Sequence, residues 1–210
     1  MTRAGDGLRT ALIVGDVQTG IIREFRFARP VVSVLAQTIP MARRAGVHIV
    51  YLRAGLRPNG TDVHPNNAVM QQFHAMADVF HETSDDTWID DALTVDPADS
   101  VVLKRRASGF AGTDLDLVLR SQRIDRVAIC GVASSAVVAA TVYAAADLDY
   151  EVSVLSDACA DPDPAAHQFL METLFPARGV AVSTAGEWLG RDRGPALEPP
   201  PRGPEPPGVH

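Results

Sequence analysis

A chain of 210 residues with 46% apolar content is long enough to bury one sizeable core and short for two domains. Its 19 Lys and Arg against 26 Asp and Glu leave a net charge of −7, which argues against a nucleic-acid partner, since such a binder carries a basic face. Cys130 and Cys159 are its only cysteines, so a disulfide framework is excluded and buried thiols in a reducing compartment are expected. The opening residues lack an apolar signal core and no apolar run reaches membrane length. A cytoplasmic protein with no membrane partner is the expectation.

In chain order, residues 10–16 (TALIVGD) form an apolar run that closes on an acid and read as a first strand. A helical stretch follows from Pro30 to Ala45, with Pro30 suited to a first turn and Gly46 to the stop. Residues 47–53, 100–104, 126–130, 151–155 and 179–183 repeat the strand character. Between them, residues 113–121, 135–148 and 165–174 have amphipathic helical spacing. Strands alternating with helices predict a three-layer α/β domain, a mostly parallel sheet with helices on both faces. That domain spans residues 1–190. Residues 191–210 carry seven prolines and predict a disordered tail; an SH3-type ligand is the alternative use of such a segment.

In a sheet of this kind, ligands bind beyond the C-terminal strand ends. Four features fall there: Asp16 after the first strand, Arg53 after the second, Lys104 after the third, and a small-residue turn from Gly131 after the fourth. A strand-end Asp alone often caps a helix, and a strand-end Lys often points to water. Their convergence on one rim marks a candidate site.

The segments ALIVGDVQTG, VVLKRRASGFAGTDLDLVLR and RVAICGVASSAVVAATVYAAADLDYEVSVLSDACAD resemble those of the isochorismatase-like hydrolases, in order and in spacing. This superfamily includes isochorismatases, nicotinamidases and related cysteine hydrolases. The resemblance runs from Leu8 to Leu189. It implies a six-stranded parallel sheet and a homo-oligomer, dimer or tetramer; the Ala- and Val-rich helix at 136–146 would suit a subunit contact. It also implies a catalytic Asp at Asp16, a Lys at Lys104 and a nucleophilic Cys six residues after Gly131. That position holds Val137. The resemblance further implies a cis peptide at Val132–Ala133, with an oxyanion hole built from the backbone N–H groups of Ala133 and Val137.

Valine cannot form a thioester, so the amidase mechanism through an acyl-enzyme is ruled out in its ordinary form. Some isochorismatases also lack the cysteine and hydrolyse a vinyl ether without a covalent intermediate. On that precedent Asp16 is the candidate proton donor, Lys104 orients water or stabilises charge, and the substrate is a small molecule. A hydrophobic pocket would raise the pKa of Asp16 and Lys104 would lower it. Ser134 and Ser135 are expected at the turn and helix cap, with no histidine placed to activate either; Ser134 is also a candidate substrate contact. Gln18 is expected to hold the acid or the substrate, or to cap its loop.

Arg53, Arg57, Arg105 and Arg106 lie near the rim, and at most two are expected to face a carboxylated substrate. Arg53 and Arg57 are the selected candidates. Phe25 and Phe110 are candidate apolar walls, with Trp88 on a lid-like stretch, and core packing is the alternative for each. Asp62, His64 and His74 have a superficial metal-ligand pattern in a polar loop. They lack the flanking tryptophan and histidine of nicotinamidases, so no metal and no cofactor is expected. His167 is expected to be structural. Two other readings stay open: a binding or scaffold protein that lost catalysis, and a lyase or isomerase on the same pocket.

Overall fold

The computed structural model describes residues 8–191; the proline-rich segment beyond them lies outside the described residues. The core is a six-stranded sheet of order β3-β2-β1-β4-β5-β6. Its strands are β1 (Arg9–Gly15), β2 (His48–Ala54), β3 (Ser100–Lys104), β4 (Ile124–Val132), β5 (Glu151–Ala160) and β6 (Ala181–Ser183). Every neighbouring pair is parallel. The chain therefore winds outward from β1 in one direction and from β4 in the other. The topological switch point lies between those two strands, where such sheets place ligands.

β1 is buried from Ala11 to Gly15 without alternation, the pattern of a strand covered on both faces. The helix α2 (Arg29–Arg44) begins with Pro30 in its first turn and is followed by Gly46 at φ 82°. Its buried side chains Val31, Leu35, Ile39 and Ala42 recur at helical spacing. Each fully buried Leu or Ile of this stripe contributes roughly 1.5–3 kcal/mol of hydrophobic stabilisation. The stripe packs on β2, β5 and α8 (Ala185–Arg191), while α4 (Leu115–Ser121) and α5 (Ala139–Asp147) pack over β4 and β5.

Three short helices escape the periodicity of the sequence: α1 (Thr19–Glu24), α3 (Ala68–Ala75) and α8. Runs of six to eight residues are too short to display a full amphipathic repeat. β5 also continues to Ala160, beyond the expected end at residue 155. A register irregularity against β4 after Ile129, and the polar pair Ser156 and Asp157, conceal the continuation. The described chain is completed by α6 (Pro164–Phe169) and α7 (Phe175–Ala177). Among the described residues no helix is long and apolar enough to cross a membrane.

Gly15 and Gly131 face each other at the switch point. Gly131 has φ 127°, and a Cβ there would lie 2.1 Å from the Gly15 carbonyl oxygen. Only glycine satisfies both constraints. This close approach brings the ends of β1 and β4 together, and with them the loops that bear the site.

Candidate active site

The first residue after β1 is Asp16, held at φ 58° with its N–H donating to the Leu52 carbonyl. Aspartate is one of the few residues that visit this left-handed region readily. Lys104 closes β3, two strands away, and reaches across β2 to Asp16. Its Nζ lies 2.8 Å from Asp16 Oδ2 and donates to the Arg106 carbonyl at 3.1 Å. The side chains are 4% and 12% exposed respectively, so water screens the pair weakly. Asp16 Oδ1 is buried and has no hydrogen-bond partner among the described residues. Burial pushes the Asp16 pKa up and the Lys104 ammonium opposes it; the balance is a raised value.

Both groups line a cavity of about 300 Å³ at the C-terminal strand ends. The turn after β4 forms another wall. The Val132–Ala133 peptide is cis, and a π-helical turn, Ser134–Val138, follows it into α5. Val137 is buried and lines the cavity. Its methyls approach so closely that a Cβ on Gly15 would sit 2.9 Å from Val137 Cγ2. An aliphatic side chain thus closes this part of the cavity wall. The opposite wall is apolar: Phe25, Phe27, Met70, Phe73 and Phe80 contribute, with Phe73 stacked on Phe80 at 4.4 Å.

These features lie at the switch point of an α/β sheet whose residues 10–187 match the isochorismatase domain. The chain belongs to the isochorismatase family. A ureidoacrylate amidohydrolase from Methylorubrum extorquens is 29% identical over 186 residues, which cover 79% of this chain and 75% of that protein. The crystal structure of a cysteine hydrolase from Pseudomonas syringae pv. phaseolicola has a TM-score of 0.80 and 26% identity, and covers 90% of this chain and 94% of that one. N-carbamoylsarcosine amidase from Thermoplasma acidophilum shares the fold, with a TM-score of 0.70 at 24% identity over 85% of this chain and 97% of its own. The protein is thus an isochorismatase-family hydrolase whose site carries valine at position 137.

Several expected substrate contacts lie elsewhere. Gln18 is fully buried, and its amide braces the site instead of facing it. Nε2 donates to the Ala54 and Thr87 carbonyls at 2.9 and 2.7 Å, and Oε1 accepts from Ala54 N at 2.7 Å. Arg53 turns away from the cavity. It donates to the Thr87 carbonyl and hydroxyl and to the Glu82 carbonyl, and its guanidinium lies 4.4 Å from the Trp88 ring centroid. Strand register explains this: Ala54 pairs with Lys104, whereas Arg53 pairs with Leu103. Ala54 therefore shares the face of Lys104, and Arg53 takes the other.

Arg57 pairs with Asp62 at 3.6 Å in the loop and is not part of the cavity wall. Phe110 packs on Tyr150 at 6.1 Å, away from the cavity, and Trp88 is exposed beneath Arg53. Of the aromatic candidates, Phe25 does line the site. Among the described residues, the arginines that line it are Arg105 and Arg106.

Ser134 is fully buried, and its hydroxyl lies 2.8 Å from His167 Nδ1, outside the cavity wall. A histidine does reach this serine, contrary to the sequence reading, but the pair fastens α6 to the turn without meeting the cavity. Neither serine side chain caps the turn. The buried Asp161, just after β5, accepts from Ser135 N at 2.7 Å and serves the helix start from outside. Sequence reasoning missed Asp161, as well as Met70 and Phe73; the last two stand three apart on α3, a spacing that marks one helix face.

Asp62 is engaged by Arg57 and Arg105, His64 Nδ1 accepts from Asn66 N, and His74 Nε2 lies 3.2 Å from the Arg57 and Pro58 carbonyls. These contacts knit together the loop that leads into α3. Cys130 and Cys159 are both buried thiols, and burial pushes the Cys159 pKa up to about 12.

Proposed function

We propose that this hydrolase cleaves a small organic substrate without a covalent intermediate, using Asp16 and Lys104 for acid–base catalysis and water as the nucleophile. The observation that carries this reading is the Asp16 carboxyl. One oxygen is held by Lys104, and the other is buried without a partner in a cavity whose nucleophile position is aliphatic. Burial shifts Asp16 toward its protonated form relative to an exposed carboxyl, with Lys104 opposing, and apolar walls strengthen any charge it meets.

For a vinyl ether, Asp16 would deliver its proton to the enol-ether carbon and leave an oxocarbenium-like centre. Water held by Lys104 would add to that centre and return a proton to the carboxylate, and the hemiketal would then collapse to an alcohol and a carbonyl compound. The backbone N–H groups of Ala133 and Val137 would face the negative charge that develops on the leaving oxygen as the hemiketal collapses. The ureidoacrylate amidohydrolase among the relatives carries the name of an amide-cleaving enzyme. Without a side-chain nucleophile at Val137, amide cleavage through an acyl-enzyme at that position is not available.

The test is purified protein beside its Asp16→Asn variant, assayed with isochorismate and a panel of small amides. Isochorismate turnover that falls at least ~100-fold in the variant supports the reading. Amide turnover would place a nucleophile elsewhere. Silence across the panel would favour a ligand-binding protein on the same fold, and product lacking oxygen from labelled water a lyase or isomerase. We also propose a homo-oligomer, supported by the half-exposed Tyr143 on the Ala-rich α5. A cytoplasmic location is supported by two buried free thiols; recovery in a secreted or membrane fraction would oppose it.

A further inference from the structure

The cations around the cavity pair off unevenly. Lys104 is matched by Asp16 at 2.8 Å. Arg57 and Arg105 are matched by Asp62 and Glu82: Arg57 lies 3.6 Å from Asp62, Arg105 Nε lies 2.9 Å from the same carboxylate, and Arg105 also forks onto Glu82. Two positive groups thus meet two negative ones, and the rim is neutral up to that point. Arg106 is left over. It lines the cavity and has no ion-pair partner among the described residues.

Its orientation is nevertheless fixed. One terminal nitrogen donates to the Arg105 carbonyl at 2.5 Å and the other to the Asp62 carbonyl at 3.0 Å. Two of five guanidinium N–H groups are used on neutral acceptors, and three remain in a planar fork. A half-buried, pre-oriented guanidinium without a counter-charge suits a carboxylate, which it can meet with two parallel hydrogen bonds. The other walls are mostly apolar, with phenyl rings, Met70 and aliphatic side chains such as Ile21, Leu56 and Val137. They ask for an apolar body of aromatic or branched aliphatic character.

We infer that Arg106 is the specificity-determining residue of this site, and that its substrate is a molecule with an apolar body and one carboxylate, which Arg106 binds. This rests on the cavity being the substrate site of the hydrolase described above, but not on Asp16 acting as the acid.

Calorimetry with two inert probes of one shape separates the two ideas. Hydrocinnamate carries the carboxylate; benzylacetone replaces one carboxylate oxygen by methyl and is neutral. The wild-type protein is expected to bind hydrocinnamate at least ~10-fold more tightly, the scale of a charge-assisted hydrogen-bonded pair. In Arg106→Gln the two probes should bind within about threefold of each other, with benzylacetone affinity unchanged, and Arg106→Lys should keep part of the preference.

Equal binding of the probes to wild type, a preference that survives in Arg106→Gln, or failure of both probes to bind would each overturn the inference. Should Arg106→Gln not fold, the wild-type ratio and Arg106→Lys still decide it. Repeating the titration in Asp16→Asn keeps the readings apart. Preference without any turnover refutes only the Asp16 mechanism, and Asp16-dependent turnover without preference refutes only the role of Arg106.

Discussion

Replacing Lys104 by Met tests the electrostatic centre of the site most directly. The substitution keeps an unbranched side chain out to Cε and removes the ammonium that lies 2.8 Å from Asp16 Oδ2. At that distance two unit charges attract by about 6 kcal/mol at an effective dielectric of about 20. Part of this only offsets the cost of burying both ions, so loss of one partner is expected to destabilise by roughly 3–5 kcal/mol. The upper end applies because Asp16 Oδ1 already lacks a partner, so the variant leaves the carboxylate with neither oxygen paired.

Asp16 has one escape, which is to hold a proton. Burial already raises its pKa in the folded protein, with Lys104 opposing, and removing Lys104 raises it further. A folded-state pKa above the unfolded value means that the native state binds more protons. Stability is then fullest below the unfolded value and falls as pH rises through the folded one, by at most about 1.4 kcal/mol per pH unit.

Urea unfolding of wild type and Lys104→Met at about pH 8 and about pH 5 should show the larger loss at the higher pH, with the gap narrowing as Asp16 takes up its proton. The double variant Asp16→Asn/Lys104→Met should lose less than the sum of the single variants. A loss below about 1 kcal/mol that does not change with pH would mean the pair is solvated, and the reasoning about a buried acid would fail.

Two further outcomes are expected. Val137→Cys puts a thiol at the nucleophile position, where it would line the cavity near Asp16, so native iodoacetamide treatment should label that variant once and leave wild type, with both its cysteines buried, unlabelled. Mass spectrometry reads the result, and a variant as inert as wild type would mean that position 137 does not open to the cavity. Gel filtration with light scattering should find a dimer or larger assembly, which Tyr143→Ala should weaken; a wild-type protein running at monomer size would contradict the assembly proposed from α5.

The sequence by itself determined the alternation of strands and helices, because strand and helix periods in apolar residues are local properties. It also located Asp16, Lys104 and the Gly131 turn at strand ends, and it placed a valine six residues after Gly131, a matter of identity at one spacing. Contacts were beyond its reach. Whether an arginine faces a cavity depends on strand register, and the pairing of Ala54 rather than Arg53 with Lys104 is a tertiary fact. Arg105 and Arg106 lie past the end of β3, where strand alternation no longer assigns a face. Gln18 resembles a substrate-binding amide until the backbone groups of Ala54 and Thr87 are seen to consume it. Ser134 and His167 are 33 residues apart, and only the packing of α6 against the turn brings them together. Local chemistry could be read along the chain; the direction of each side chain was decided by which strands lie side by side.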